Sequence, residues 1–209
     1  MLRKLQQCLW VIGFFVLGYC GMSWIGARLD QSIGNAELDR LLTSKTPDVN
    51  RNFGRRTAPP HGELVGRVEI PRLHVSAVIF EGTDDPVLAK GVGHLTGSAL
   101  PGLAGNVVLA GHRDSFFRAL RNIRGGDTVE VITAEGSRSY SVKTTEIIQP
   151  TEVSVLEPTK TPMLTLVTCY PFYFVGHAPK RFIVRGTEIP QSNTTEAQIK
   201  SRPGRIRAD

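Results

Sequence analysis

Cysteine is scarce, and its placement is informative. Of three cysteines, Cys8 and Cys20 fall inside an apolar N-terminal stretch, which leaves Cys169 without a partner for an intradomain disulfide. Cys8 and Cys20 lie twelve positions apart, about 18 Å along a helix, so they cannot bridge each other within one helix. Metal motifs are missing too. Neither H-E-x-x-H nor a paired C-x-x-C occurs, which argues against a zinc enzyme; no cofactor is expected, and calcium dependence stays open. There is no basic stripe interleaved with aromatics, so a nucleic-acid reader is disfavoured. The net charge of +6 belongs to the flanks, because residues 64–189 carry 13 Lys/Arg against 12 Asp/Glu. Arg51, Arg55, Arg56, Lys200, Arg202, Arg205 and Arg207 suit either a solvated tail or an anionic membrane surface. No internal repeats occur.

What is present begins with a hydrophobic run. Residues 8–27 contain no charged side chain, and at about 1.5 Å per residue they span the roughly 30 Å hydrocarbon core of a bilayer. Arg3 and Lys4 precede the run, while mixed charges follow it, so the positive-inside rule puts residues 1–7 in the cytoplasm and the rest outside. A cleaved signal peptide is the competing reading; Ile25-Gly26-Ala27 is a poor cleavage site and the run is long for a signal core. A single-pass transmembrane anchor is expected. Residues 28–61 read as a juxtamembrane helix and a polar, proline-containing linker, and 190–209 as a polar basic tail. Between them lies one domain over 62–189, of ordinary single-domain size.

That domain reads as all-β. Short runs rich in Val, Ile, Leu and Thr fall at 64–70, 75–80, 106–110, 128–133, 139–147, 163–168 and 182–184, punctuated by Gly, Pro, Asp or Asn. Seven or more such strands with little helix suggest a closed barrel or a sandwich. Phe116, Phe117 and Leu120 predict a short helix after His112.

Cys169 ends an apolar strand, Met163 to Thr168. A lone thiol on an exported domain is either a small buried hydrophobe or a nucleophile. A nucleophile needs a proton-transfer partner and an oxyanion holder. His61 and His74 read as surface residues. His94, His112 and His177 each follow a glycine, and the residues alone do not choose among them. Arg181 opens a strand twelve residues after Cys169, and would return beside it if the two strands pair. An arginine there is either an ordinary strand-end cation or a fixed donor set for developing negative charge. Lys180 would point to the opposite face.

At this point the chain resembles the sortases, membrane-anchored cysteine transpeptidases. Thr165-Leu166-Val167-Thr168-Cys169, Ala110-Gly111-His112-Arg113 upstream and Arg181 downstream carry the resemblance, over about 62–186. The runs Gly91-Val92-Gly93-His94, Ala99-Leu100-Pro101-Gly102, Asp114-Ser115-Phe116-Phe117 and Ala178-Pro179-Lys180-Arg181-Phe182 are most similar to class D. The resemblance implies a closed eight-stranded β-barrel with one or two short helices, and a catalytic set of Cys169, His112 and Arg181. It implies cleavage of an LPXTG-like sorting signal after Thr and transfer to an amine, either a cell-wall precursor or a pilin lysine. Thr168 is expected to orient the substrate carbonyl or the oxyanion, unless it is a simple strand residue. His177 lies in the loop that borders the groove in sortases, and Val153, Val155, Leu156 and Ile79 are expected walls for the apolar part of the signal. His94 is accessory or structural. Other classes stay in view: a different extracytoplasmic cysteine peptidase, or a tethered β-barrel scaffold or adhesin with an inert cysteine.

Overall fold

The computed structural model describes residues 59–174 and 176–190, together with helical positions between 3 and 19. Among the described residues no helix is long and apolar enough to cross a membrane. The expected anchor lies largely outside them, and residues 28–58 and 191–209 lie wholly outside.

Eight strands close into a barrel: β1 (Leu64–Ile70), β2 (Val75–Glu81), β3 (Val92–His94), β4 (Asn106–Ala110), β5 (Thr128–Thr133), β6 (Gly136–Ile148), β7 (Met163–Tyr170) and β8 (Lys180–Glu188). Their order around the barrel is β1-β2-β3-β4-β7-β8-β6-β5, and β5 pairs with β1 to close it. β2–β3 and β4–β7 are parallel; the other neighbours are antiparallel. Parallel neighbours need crossovers. The helix Asp85–Lys90 supplies the first, and β5 with β6 fills the second.

Alternation explains the closure. β5 buries every second residue, and the inward side chains of successive strands meet along the axis. Val68, Ile70, Ala77, Ile79, Leu109, Val131, Tyr140, Leu164, Leu166 and Val184 form that interior, with Phe117 and Leu120 packed on it. The inward parity of β2 corrects the expectation for Ile79. It is wholly buried in the barrel and walls no groove. The helix expected after His112 is a 3-10 segment, Arg118–Asn122. The short elements not expected from the residues include β3 and the helix Asp85–Lys90, whose Asp-Asp-Pro opening is a recognisable helix start.

Outside the barrel wall a second apolar cluster forms. Ile148, Val155 and Ile183 are buried together with Leu156 and Val167 against them. This cluster covers the face of β7 that carries Cys169.

Candidate active site

Cys169 is a half-buried free thiol, the penultimate residue of β7. Leu164 and Leu166 point inward, so Thr168 does too, and Val167 and Cys169 face outward. β8 runs back antiparallel with Cys169 directly opposite Arg181 and Val167 opposite Ile183. Facing residues in such a pair have Cβ atoms about 5 Å apart. Ile148 of β6 stands on the far side of Arg181 in the same row.

The histidine arrives from the other flank. β4 pairs in parallel with β7, ending at Ala110 opposite Val167. The ladder runs one residue further, because the Gly111 N–H donates to the Val167 carbonyl (3.1 Å). His112 therefore leaves the sheet beside the Thr168–Cys169 step. Glycine is required at 111 by close approach: a Cβ there would sit 2.8 Å from the Phe117 ring. The Phe117 N–H in turn donates to the His112 carbonyl (3.0 Å), which closes the loop that holds the half-buried His112.

Thr168 is 2% exposed and faces the barrel interior, opposite to Cys169. Its hydroxyl donates to the Gly111 carbonyl (2.7 Å). The expected direct contact with substrate is therefore replaced by a positioning contact, since the hydroxyl fixes the segment that carries His112. On the same inner face Tyr170, Phe172 and Phe182 pack ring against ring, with centroids 5.3–6.4 Å apart, and stiffen the strand ends.

Arg181 donates through Nη1 to the carbonyls of Ala178 (3.2 Å) and Lys180 (3.0 Å). Nε and Nη2 have no protein partner among the described residues. Lys180 pairs with Tyr170 and is exposed.

The remaining histidines separate clearly. His94 is fully buried; its Nδ1 lies 2.6 Å from Glu81 Oε2, and its Nε2 lies 3.0 Å from the Ala99 carbonyl. Thr96 donates to the other Glu81 oxygen (2.8 Å). His94 thus ties the 95–99 turn to β2. His61 pairs with Asp84 at the surface (2.8 Å), and His74 is exposed at a left-handed turn. His177 is exposed in the β7–β8 loop.

Val155 is 9% exposed and packs on Ile148 and Ile183, so it supports the groove wall from within; Val153 stands out at 60% exposure. Asn106, which the sequence did not single out, fixes this wall. Its Nδ2 donates to the carbonyls of Val155 (3.0 Å) and Glu157 (3.2 Å), while its Oδ1 accepts from Thr165 Oγ1 (2.7 Å). Both N–H donors and one of the two oxygen lone pairs of this buried amide are thus used, three of its four possible hydrogen bonds. A cleft of about 470 Å³ opens further along, between Leu95–Asn106 and Leu156–Thr159. It contains none of Cys169, His112 or Arg181, so the chemistry, and not this hollow, locates the site.

The arrangement offers a thiol, an imidazole and an unspent guanidinium face at one end of a barrel, beside an apolar floor. That is equipment for acyl transfer through a thioester.

Comparison with known proteins points the same way. The Sortase domain family model matches residues 68–189. Sortase D of Bacillus subtilis is 33% identical over 186 residues, covering 85% of this chain and 93% of that protein. Sortase A of Listeria monocytogenes is 31% identical over 147 residues, covering 68% of this chain and 64% of that protein. Sortase C1 from Streptococcus suis superposes with a TM-score of 0.57 at 32% identity, over 63% of this chain and 76% of that one. A Clostridium perfringens Sortase D5 transpeptidase shares the fold with a TM-score of 0.58 at 24% identity, over 73% and 98%. With its closed barrel and its strand-end cysteine, this chain belongs to the sortase family of cysteine transpeptidases, close to class D.

Proposed function

We propose that the protein is anchored in the cell membrane by residues 8–27, with its N-terminus cytoplasmic, and that its barrel joins secreted proteins to an amine. The substrate carries an LPXTG-like signal near its C-terminus. The Cys169 thiolate attacks the Thr carbonyl carbon, forming the S–C bond. Arg181 Nε and Nη2, with backbone N–H groups, hold the oxyanion. His112, as imidazolium, gives its proton to the departing amide nitrogen as the C–N bond breaks. An incoming amine gives a proton back to His112, attacks the thioester carbon and expels the Cys169 sulfur. The acceptor is a cell-wall precursor or a pilin lysine.

The observation that carries this reading is the direct register of Cys169 with Arg181, with His112 emerging from β4 alongside. Half-buried Val167 and Leu156, backed by the buried Ile148, Val155 and Ile183, give an apolar floor suited to the Leu-Pro part of the signal. Membrane anchoring is supported by Trp10, Ile12, Phe14, Leu17 and Tyr19, all exposed on helical positions behind Arg3 and Lys4. The test is the full chain in detergent with LPXTG-type peptides and an amine, products read by mass spectrometry. Cleavage after Thr with amine capture is expected, and Cys169→Ala abolishes both. Turnover that survives Cys169→Ala would overturn the reading.

A further inference from the structure

Arg113 directly follows His112, and its guanidinium reaches across to the loop between β7 and β8. Nη2 donates to the carbonyls of Phe174 (2.7 Å) and Gly176 (2.8 Å). Gly176 adopts φ +96, a left-handed conformation that favours glycine. The loop it serves joins Cys169 to Arg181, and among the described residues no other side chain is hydrogen-bonded to its tip. Among the described residues of the loop, the backbone bond within it is Phe174 N–H to the Pro171 carbonyl (3.3 Å). The other terminal nitrogen of Arg113, Nη1, is buried with no partner among the described residues. A buried guanidinium nitrogen left unpaired is costly, and each such group calls for a reason.

We infer that Arg113 is a positioning residue for the transpeptidation reaction, clamping the loop between Cys169 and Arg181 to the segment that carries His112. The three reacting groups come from three separate stretches of chain. The register of β7 and β8 fixes two of them, and Thr168 ties the third at Gly111. Beyond the last ladder bond, the loop side is held against the histidine side by the Arg113 hydrogen bonds and, at Tyr173, by the Arg121 guanidinium 5.4 Å over the ring. The clamp also sets Arg181, because the Ala178 and Lys180 carbonyls that receive its Nη1 close the same loop. Two carbonyl acceptors from residues two apart suit a planar cation with several fixed donors better than an ammonium. Release of the clamp leaves the barrel intact and loosens the catalytic geometry, so the effect falls on kcat with little on KM. Misplacement by about 1 Å costs on the order of 100-fold in rate.

This inference rests on Cys169, His112 and Arg181 acting as proposed, and the experiment separates the two. Full-length wild type, Arg113→Met, Arg113→Lys and Cys169→Ala are compared in the peptide–amine assay, with thermal unfolding and limited chymotrypsin digestion. Tyr173 and Phe174 are exposed in the clamped loop and give the digestion a local reporter. The clamp predicts a loss of about 10- to 100-fold in kcat for Arg113→Met, with KM within twofold. It predicts partial recovery in Arg113→Lys, a melting point near that of wild type, and faster cleavage confined to Tyr173–Phe174. Unchanged kcat in Arg113→Met with Cys169→Ala inactive overturns the clamp and leaves the catalytic reading standing. A loss that comes with cleavage throughout the barrel and a fallen melting point, with no recovery by lysine, assigns Arg113 to general stability and also overturns it. An active Cys169→Ala overturns the catalytic reading itself.

Discussion

Replacing Asn106 by alanine removes three hydrogen bonds at a site that is 1% exposed. Thr165, fully buried, loses the acceptor for its hydroxyl, and two carbonyls of the 155–157 segment lose their donor. A buried hydrogen bond contributes about 1 kcal/mol net, and a stranded buried donor costs about 1–3 kcal/mol. The carbonyls lie on a loop and can turn to water, whereas Thr165 cannot. The expected cost is about 3 kcal/mol, or roughly 10 °C in melting point for a domain of this size. Thr165→Val in the alanine background then adds little, because the stranded hydroxyl is gone. The functional readout is separate. The 3-10 segment Ser154–Leu156 bears the roof over Ile148 and Ile183, so its release raises KM for the sorting peptide while alkylation of Cys169 by a small reagent stays near the wild-type rate. Thermal unfolding of the four variants in the cycle, with steady-state kinetics, measures both. An Asn106→Ala protein within about 1 kcal/mol of wild type and with unchanged KM would refute the argument that this amide holds the wall.

Two further predictions concern Arg181 and the Arg72–Asp127 ion pair. Arg181→Lys keeps the charge, but a single ammonium cannot both bond the Ala178 and Lys180 carbonyls and reach an oxyanion; kcat falls about 10²- to 10³-fold, and steady-state kinetics within threefold of wild type would contradict the role. Asp127 accepts two bonds from Arg72 and one from the Arg124 N–H, and the Arg72 contact above all holds its carboxyl below the usual carboxylate range. A depressed folded value stabilises above the unfolded value of about 3.9 and loses that stabilisation as pH falls through the folded value. Asp127→Asn should therefore melt below wild type at pH 6–8, with the gap closing below about pH 4; a gap independent of pH would contradict this.

Much of the barrel is legible in the residues. β1, β4 and β5 have the expected bounds, because alternation in β1 and β5 and a short continuous apolar run in β4 are strong signals. β3 has three residues, too few for a period to show. β8 reads as a strand opening at Lys180–Arg181 with its apolar run at 182–184, yet it continues to Glu188, since Arg185 and Gly186 interrupt that run. Gly186 is there because the Ser141 carbonyl would lie 3.0 Å from any Cβ, a cross-strand demand that leaves no mark on the local pattern. At the site, the return of Arg181 beside Cys169 is readable from their spacing, because consecutive strands tend to pair. The choice among histidines is not readable from the residues, because His94 and His112 both follow a glycine at a strand end. Only packing separates them: Glu81 takes His94 into the interior, whereas the Gly111–Phe117 contact leaves His112 at the rim. Asn106 and Arg113 escape sequence reading for a shared reason, as most of their partners are backbone carbonyls.

The central claim is that Cys169 becomes acylated by the substrate. Intact-mass measurement of the full chain, quenched in acid during turnover of an LPXTG-type peptide without added amine, tests it most directly. The account predicts a mass gain equal to the peptide up to and including Thr, mapped to Cys169, absent in Cys169→Ala and discharged by an added amine. Product formation with no such adduct on Cys169 at any time, or the same adduct on the alanine variant, would contradict it.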